Sequence, residues 1–386
     1  MKKKALYFGS FDPFTLGHLE VVKQALLKYD ELVIFITDMY DKNYTYSVED
    51  RHKLLDEAIA ELPDCDRISV TYGDFSIVNV AICNNVHVLV RGVRPSTADL
   101  QKETCLASIH EHTATIVGYE LKTEYIYVTD DFLQSTSSLN VKKLWRHSEF
   151  ILVASMVPHN VYNFLMQREL NFIIENLFIH SDDQRVAKRM LNDAYSERGY
   201  HNLQHIGDML SMLRRYLCIT TGTFDAKNHP DIMFAILWHD IIMEADDKES
   251  AETKSAKSLL RLASDWNENI HASIDIDEVV GMIKATEIGG EAKTEKQKLI
   301  ADLDKAVLGT SFMPWWIRYT EGIRMEYFEI SDKEYLEGRI KFLQKMYDMD
   351  RIYQTEWFYK RFEEQAKQNL KIAICRLKAQ LNALNK

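Results

Sequence analysis

A chain of 386 residues is too long for one ordinary single-core domain and comfortable for two. With 46% apolar and 27% charged residues, 14 glycines and 6 prolines, the composition excludes collagen-like and disordered character. The formal charge of −11, spread as −6 over residues 1–165 and −5 over the rest, leaves no basic platform and argues against nucleic-acid binding.

The apolar run Ala5–Phe8 behind Lys2, Lys3 and Lys4 ends at Gly9, too early for a signal-peptide core. No stretch approaches the ~18 consecutive apolar residues of a spanning helix, so no membrane contact is expected. Five scattered cysteines without CxxC spacing suit reduced thiols, and a cytoplasmic protein is expected. Ala5–Phe8, Leu32–Thr37, Arg67–Tyr72, Val86–Val90 and Glu124–Val128 read as strands, several apolar on both faces. Helical patterns over Gly17–Tyr29, Val48–Glu61, Phe75–Cys83 and Asp99–Glu111 alternate with them, the signature of an α/β doubly wound parallel sheet.

Beyond about residue 168 the strand signal fades and long amphipathic stretches follow. They cover Gln184–Glu197, His201–Tyr216, Ile232–Glu244, Glu252–Asn267, Glu295–Leu308, Trp315–Phe328, Asp332–Tyr347 and Glu356–Leu384. The second half reads as all-α, dividing the chain into residues 1–167 and 168–386. Trp315, Trp316, Tyr319, Tyr327, Phe328 and the Trp357-Phe358-Tyr359 run recur at helical spacing and read as core.

The first strand runs through Gly9-Ser10-Phe11-Asp12-Pro13-Phe14-Thr15-Leu16-Gly17-His18 into a helix. A strand, a glycine-containing turn and a helix N-terminus form a phosphate site, because free backbone N–H groups and the positive end of the helix dipole face the ligand. Thr15 and His18, three residues apart on the first turn, can reach one anion. This stretch resembles the T/HxGH motif of the nucleotidyltransferase superfamily. The wider pattern, over about residues 4–165, resembles phosphopantetheine adenylyltransferase. It includes Lys42, Tyr46-Ser47 with Asp50-Arg51, Arg91-Gly92-Val93-Arg94, Asp99 with Glu103, Ser137-Ser138-Leu139-Asn140-Val141-Lys142, and Val157-Pro158 with Val161.

The resemblance implies a Rossmann-like nucleotidyltransferase fold and adenylyl transfer from ATP to 4′-phosphopantetheine, giving dephospho-coenzyme A and pyrophosphate. It assigns His18 and Lys42 to the transferring α-phosphate, with Gly9, Ser10, Phe11, Thr15 and Gly17 positioning it. Arg91 with Gly92 would hold a substrate phosphate, Arg94 the ATP phosphates, Glu103 the ribose or adenine side, and Ser137 and Ser138 the β- and γ-phosphates. Mg²⁺ would accompany ATP, and homo-oligomers are common in the family. The chain departs from the family pattern at Leu100-Gln101-Lys102, at His110 in place of an asparagine, and at Asp74-Phe75. These lie near the acceptor and adenine sites, so nicotinate mononucleotide is the rival acceptor.

The second half carries Tyr200-His201-Asn202-Leu203-Gln204-His205 and then Trp238-His239-Asp240. On one helix His201 and His205 would share a face, and His239-Asp240 on a second helix would meet them, with Asp304 as a further ligand. An imidazole and carboxylate set without thiolate suits Mn, Fe, Zn or Mg. The order H…HD…D resembles the HD metal-dependent phosphohydrolase superfamily. A closer likeness is to a group of HD phosphohydrolases that share Ile236–Asp240, Ser255-Ala256, Asp302-Leu303-Asp304, Ile323–Tyr327 and Gly338-Arg339. The likeness implies His205, His239, Asp240 and Asp304 as metal ligands, His201 as proton donor to the leaving oxygen, and Glu252 as an orienting carboxylate. Thr286 is followed by Glu287-Ile288-Gly289, where the group carries a histidine. That change leaves open a second reading, a metal-dependent nucleotide sensor or an oligomerisation module.

Overall fold

Runs of valine, isoleucine, leucine and phenylalanine, apolar on both faces, favour buried parallel strands, and the chain folds accordingly in its first part. The computed structural model describes residues 2–93, 97–222, 228–244, 248–266, 270 and 274–385. It comprises two units, Met1–Phe164 and Leu165–Lys386.

The first unit contains β1 (Lys4–Gly9), α1 (Leu16–Leu26), β2 (Glu31–Thr37), α2 (Val48–Ala60), β3 (Ile68–Gly73), α3 (Ile77–Cys83), β4 (Val88–Val93), α4 (Thr97–Ile116) and β5 (Lys122–Tyr127). Short helices α5 (Asp131–Ser135), α6 (Ser138–Arg146) and α7 (Phe150–Val153) follow, and α8 (His159–Leu177) carries the chain onward. The strands are all parallel in the order β3-β2-β1-β4-β5. The order reverses between β1 and β4, and in open α/β sheets the crevice outside the carboxyl ends of the strands at such a point is where ligands bind. Leu6, Val33, Phe35 and Leu89 form part of the core beneath it.

The second unit is helical: α9 (Ser181–Tyr195), α10 (Leu203–Thr221), α11 (Pro230–Trp238), α12 (Ala251–Asp265), α13 (Ile276–Ala285), α14 (Glu295–Asp304), α15 (Met313–Glu326), α16 (Asp332–Asp348) and α17 (Glu356–Leu384). Trp238, Phe234 and Phe358 are among its fully buried side chains. Among the described residues, no helix is long and apolar enough to cross a membrane.

Several boundaries differ from the sequence expectation for identifiable reasons. Helix α10 starts at Leu203, because the Asn202 side chain accepts the Gln204 N–H at 2.8 Å and caps it; His201 therefore precedes the helix instead of sharing it with His205. Helix α11 ends at Trp238, so His239 is its C-cap and Asp240 lies beyond it. Strand β4 extends to Val93, placing Arg91 and Gly92 inside the strand. Helix α13 was not expected at all. Of the aromatics read as core, Trp315, Tyr319 and Phe358 are buried, whereas Tyr327 and Phe328, past the end of α15, and Tyr359 are exposed.

Candidate active sites

The first site sits at the carboxyl ends of β1 and β4. Thr15 is the N-cap of α1 and His18 closes a reciprocal capping box. The His18 N–H donates to Thr15 Oγ1 at 3.4 Å, and the Thr15 N–H donates to His18 Nδ1 at 3.1 Å. With Nδ1 accepting from backbone, the neutral ring carries its proton on Nε2, a donor suited to a phosphate oxygen. Phe11 packs edge-on to the imidazole at 5.2 Å and Phe14 stacks on it at 5.6 Å, which fixes its plane. Phe11 itself holds a positive φ of 46°, an uncommon conformation for a bulky residue. At Gly17 a Cβ would stand 2.6 Å from Thr136 Oγ1 and 3.0 Å from the Leu133 carbonyl, so the first turn of α1 approaches the segment after α5 as only glycine permits.

A cavity of about 250 Å³ opens here. Its walls include Gly9, Ser10, Phe11, Gly17 and His18 from the first motif, and Arg91, Gly92 and Glu103 from β4 and α4. Arg91 and Glu103, expected to serve different substrate groups, form one ion pair at 2.6 Å, and Arg91 also donates to the Phe8 carbonyl. Thr15 is fully buried behind the wall. Ser137 caps α6, and Ser138 Oγ donates to the Pro13 carbonyl at 2.8 Å. Lys42 is exposed on the segment after β2, its ammonium over the Tyr44 ring at 5.2 Å, and is not one of the cavity walls. Arg94 lies outside the described residues. His110 meets the Phe8 ring edge-on at 5.3 Å; burial first, and the neighbouring Arg91 second, hold its pKa below the usual histidine range.

Two buried charges that sequence reasoning left without a role set this geometry. Asp12 accepts the N–H groups of Thr45 and Tyr46 at 2.9 and 3.1 Å and the Lys142 ammonium at 2.9 Å. Arg51, 1% exposed, donates to the carbonyls of Ser10, Thr37 and Tyr46 and pairs with Asp38. Together they tie the ends of β1 and β2 to the loop that carries Lys42. Both lie inside quoted motifs, but nothing local in the sequence reveals their distant partners.

The second site gathers helix ends. His205, in the first turn of α10, His239 and Asp240 after α11, and Asp304 closing α14 offer ligand atoms that all lie within 4.8 Å of one another. His205 Nε2 is 3.1 Å from His239 Nε2 and 3.2 Å from Asp304 Oδ1, and Asp240 Oδ2 is 2.8 Å from His239 Nε2. His239 Nδ1 is 2.9 Å from the Ile236 carbonyl, which places its proton there and turns the Nε2 lone pair toward the cluster. His205 Nδ1, across its ring from these Nε2 contacts, is buried without a hydrogen bond. Facing imidazole nitrogens and two largely buried carboxylates at these distances are costly unless a cation joins them, and the N and O donor set fits a divalent metal. Burial works against charging His239, but Asp240 and Asp304 outweigh it and lift the pKa to about 9, so a cation taking the Nε2 lone pair displaces a proton from it. Asp240 is correspondingly held below the carboxylate range: His239 and His201 overcome the burial that would raise it.

Sequence reasoning missed Glu326, the last residue of α15. Its Oε1 accepts the N–H groups of Tyr200 and His201, each at 2.8 Å, and its Oε2 lies 2.8 Å from His201 Nδ1. This orients the ring and leaves Nε2 outside the Glu326 contact. His201, its ring 5.6 Å from that of His205, lines a cavity of about 530 Å³ together with Tyr200, Asp240, Glu252, Asp304 and Lys305. Glu252, in the first turn of α12, has its pKa raised by burial and then by Asp240, Asp304 and Glu287.

A cytidylyltransferase-like family model matches residues 6–185. The chain is 37% identical over 135 residues, 35% of its own length and 79% of the relative's, to a phosphopantetheine adenylyltransferase from Thermotoga neapolitana. It is 32% identical over 139 residues, 36% of its length and 83% of the relative's, to one from Vesicomyosocius okutanii. A solved nicotinic acid mononucleotide adenylyltransferase from Plasmodium falciparum, complexed with NaAD, aligns at a TM-score of 0.34 and 15% identity, covering 44% of this chain and 96% of that one.

Proposed function

The chain belongs, through its first part, to the phosphopantetheine adenylyltransferase family, and on that premise we propose that the first unit transfers the adenylyl group of ATP to 4′-phosphopantetheine. A phosphate oxygen of the acceptor forms a bond to the α-phosphorus, the bond to pyrophosphate breaks, and dephospho-coenzyme A is released. The observation that carries this reading is His18, locked by Thr15 at the first turn of α1 and lining a cavity at the switch point of the sheet. Catalysis of this kind is positioning plus electrostatic stabilisation of the phosphoryl oxygens. His18 and the start of α1 stabilise the α-phosphate, Lys42 joins them from its loop, and Arg91 and Arg94 receive substrate phosphates. Arg91 does so at the expense of its contact with Glu103, which then faces the ribose. Ser137 and Ser138 receive the β- and γ-phosphates, and Mg²⁺ accompanies ATP. Incubation of the pure protein with Mg²⁺, ATP and 4′-phosphopantetheine should yield dephospho-coenzyme A and pyrophosphate by mass spectrometry. Product from nicotinate mononucleotide alone would reassign the acceptor.

For the second unit we propose a cytoplasmic metal-dependent phosphohydrolase. The supporting observation is the convergence of His205, His239, Asp240 and Asp304, whose ligand atoms all lie within 4.8 Å of one another, with a carboxylate-held His201 beside them. A divalent cation held by those four would supply Lewis acidity toward the phosphoryl oxygens. His201, oriented by Glu326, gives its proton to the leaving ester oxygen, and Glu252 orients water. Manganese-dependent release of phosphate from phosphate esters, abolished in Asp240→Ala, tests it. Metal content with nucleotide binding but no turnover would favour a sensor.

A further inference from the structure

Three helices of the second unit enclose a groove that none of them fills. Its volume is about 650 Å³, and one face each of α15, α16 and α17 forms its walls. On α15 that face is Met313, Trp316, Ile317, Thr320 and Glu321, and on α16 it is Leu336, Arg339 and Leu343. On α17 the wall residues Ala373, Leu377, Gln380 and Leu384 follow at spacings of four, three and four, the seam of a helix that packs along another helix. The described side chains of α17 that are buried stop at Ile374, although the helix runs to Leu384. Around the groove Met313, Ile317, Ile372 and Leu384 are 44–55% exposed, so a row of aliphatic side chains meets water where the helical pattern calls for a neighbour.

A trough walled by three helices accepts a fourth laid along it, as in a bundle, and the seam from Ala373 to Leu384 has room for about three turns. The charges on the walls say which helix. Arg324 is paired with Asp332, and Arg339 donates to the Tyr319 hydroxyl. Glu321 and Arg376 remain: both are exposed, and neither makes an ion pair among the described residues. From Lys367 to Leu384 the sequence of α17 contains no acidic residue, so a carboxylate for Arg376 has to come from another helix. A second copy turned about a two-fold axis offers every part at once. Its α17 brings the same seam, its Glu321 meets Arg376 and its Arg376 meets Glu321, because an isologous contact pairs i with j and j with i. A small apolar molecule would fill the volume and leave both charges unanswered.

We propose that the chain forms a two-fold dimer through its second unit, the end of α17 of each copy lying antiparallel in the groove of the other and Glu321 pairing with Arg376 across the axis. The apolar area removed from water along the seams supplies the attraction, and the two exposed ion pairs, each worth little, fix the register. The contact requires neither of the reactions proposed above.

Sedimentation and light scattering of the full chain over a range of concentrations test it. The wild type should reach twice the mass of Ile317→Glu, which puts a carboxylate into the apolar wall. Circular dichroism should give Ile317→Glu the helix content of the wild type, which separates lost association from lost folding. Glu321→Arg and Arg376→Glu each set two like-charge pairs across the axis and should weaken the dimer about tenfold. The double variant, which exchanges the two charges, should recover wild-type association. Equal masses for the wild type and Ile317→Glu at every concentration would overturn the dimer; if the dye anilinonaphthalene sulfonate then binds the wild type and not Ile317→Glu, the groove belongs to a small apolar ligand. Weakening in both single charge variants without recovery in the double would overturn the pairing of Glu321 with Arg376, and with it this seating of the second copy.

Discussion

The two candidate sites are built in opposite ways. In the first unit the walls come from backbone at the start of α1 and the ends of two strands, and several of the charged side chains around them are already paired: Arg91 with Glu103, Lys142 with Asp12, Arg51 with Asp38. In the second unit the centre consists of side chains alone, brought from the ends of three helices, and its nitrogen and oxygen atoms crowd around one point. A backbone site is complete once the sheet folds. A side-chain centre of like-minded donors is completed by what binds it, so its loss should be more abrupt and more local.

The most severe test of that contrast is Asp240→Ala. It should abolish manganese binding and phosphate ester hydrolysis, as removing one member of a buried charge cluster costs about 3–5 kcal/mol, while adenylyl transfer is retained; metal analysis and the two assays decide it. Next is His18→Gln, which should lower dephospho-coenzyme A formation by about 10²–10³-fold, the scale for losing one stabilising donor, with hydrolysis and metal content unaffected. A smaller effect is expected for Glu326→Gln: an unchanged metal content and KM, with kcat for ester hydrolysis reduced about tenfold because His201 is no longer held in one tautomer. If metal content falls as well, Glu326 supports the cluster instead of the proton donor.

The mildest test concerns pH. The folded pKa of His110 is lowered by burial and Arg91, so the unfolded chain binds the proton first as pH falls. The first unit should therefore lose stability as pH drops below about 6.5, and keep it above that value. His110→Asn should flatten the slope between thermal unfolding scans at about pH 5.5 and about pH 7.5.

How much of this was legible follows from the same contrast. Strands β1 and β2 are unbroken apolar runs, and the motif from Gly9 to His18 is contiguous, so the sheet and the turn at its switch point could be read in place. The clustered His205, His239, Asp240 and Asp304 were legible as residue types, but their helices were misjudged: Asn202 starts α10 after His201, and α11 stops at Trp238. Helix α13 was missed because Val279, Val280 and Gly281 are poor helix formers; its apolar face is buried by tertiary packing, and a Cβ at Gly281 would stand 2.5 Å from Gln297 Nε2. The pairing of His201 with Glu326 spans 125 residues, and no periodicity encodes a contact of that range.

The bonds from Asp12 to the N–H groups of Thr45 and Tyr46 carry one more consequence. Those amides belong to a connecting loop, and Thr45 is exposed, yet their acceptor is a buried carboxylate that also holds Lys142. Loop amides ordinarily exchange with solvent by small local openings, whereas these can exchange only when the core around Asp12 opens. In deuterated solvent the Thr45 and Tyr46 amides should retain their protons on the timescale of the central strands, so the loop bearing Lys42 is anchored at its base to the slowest-opening part of the unit.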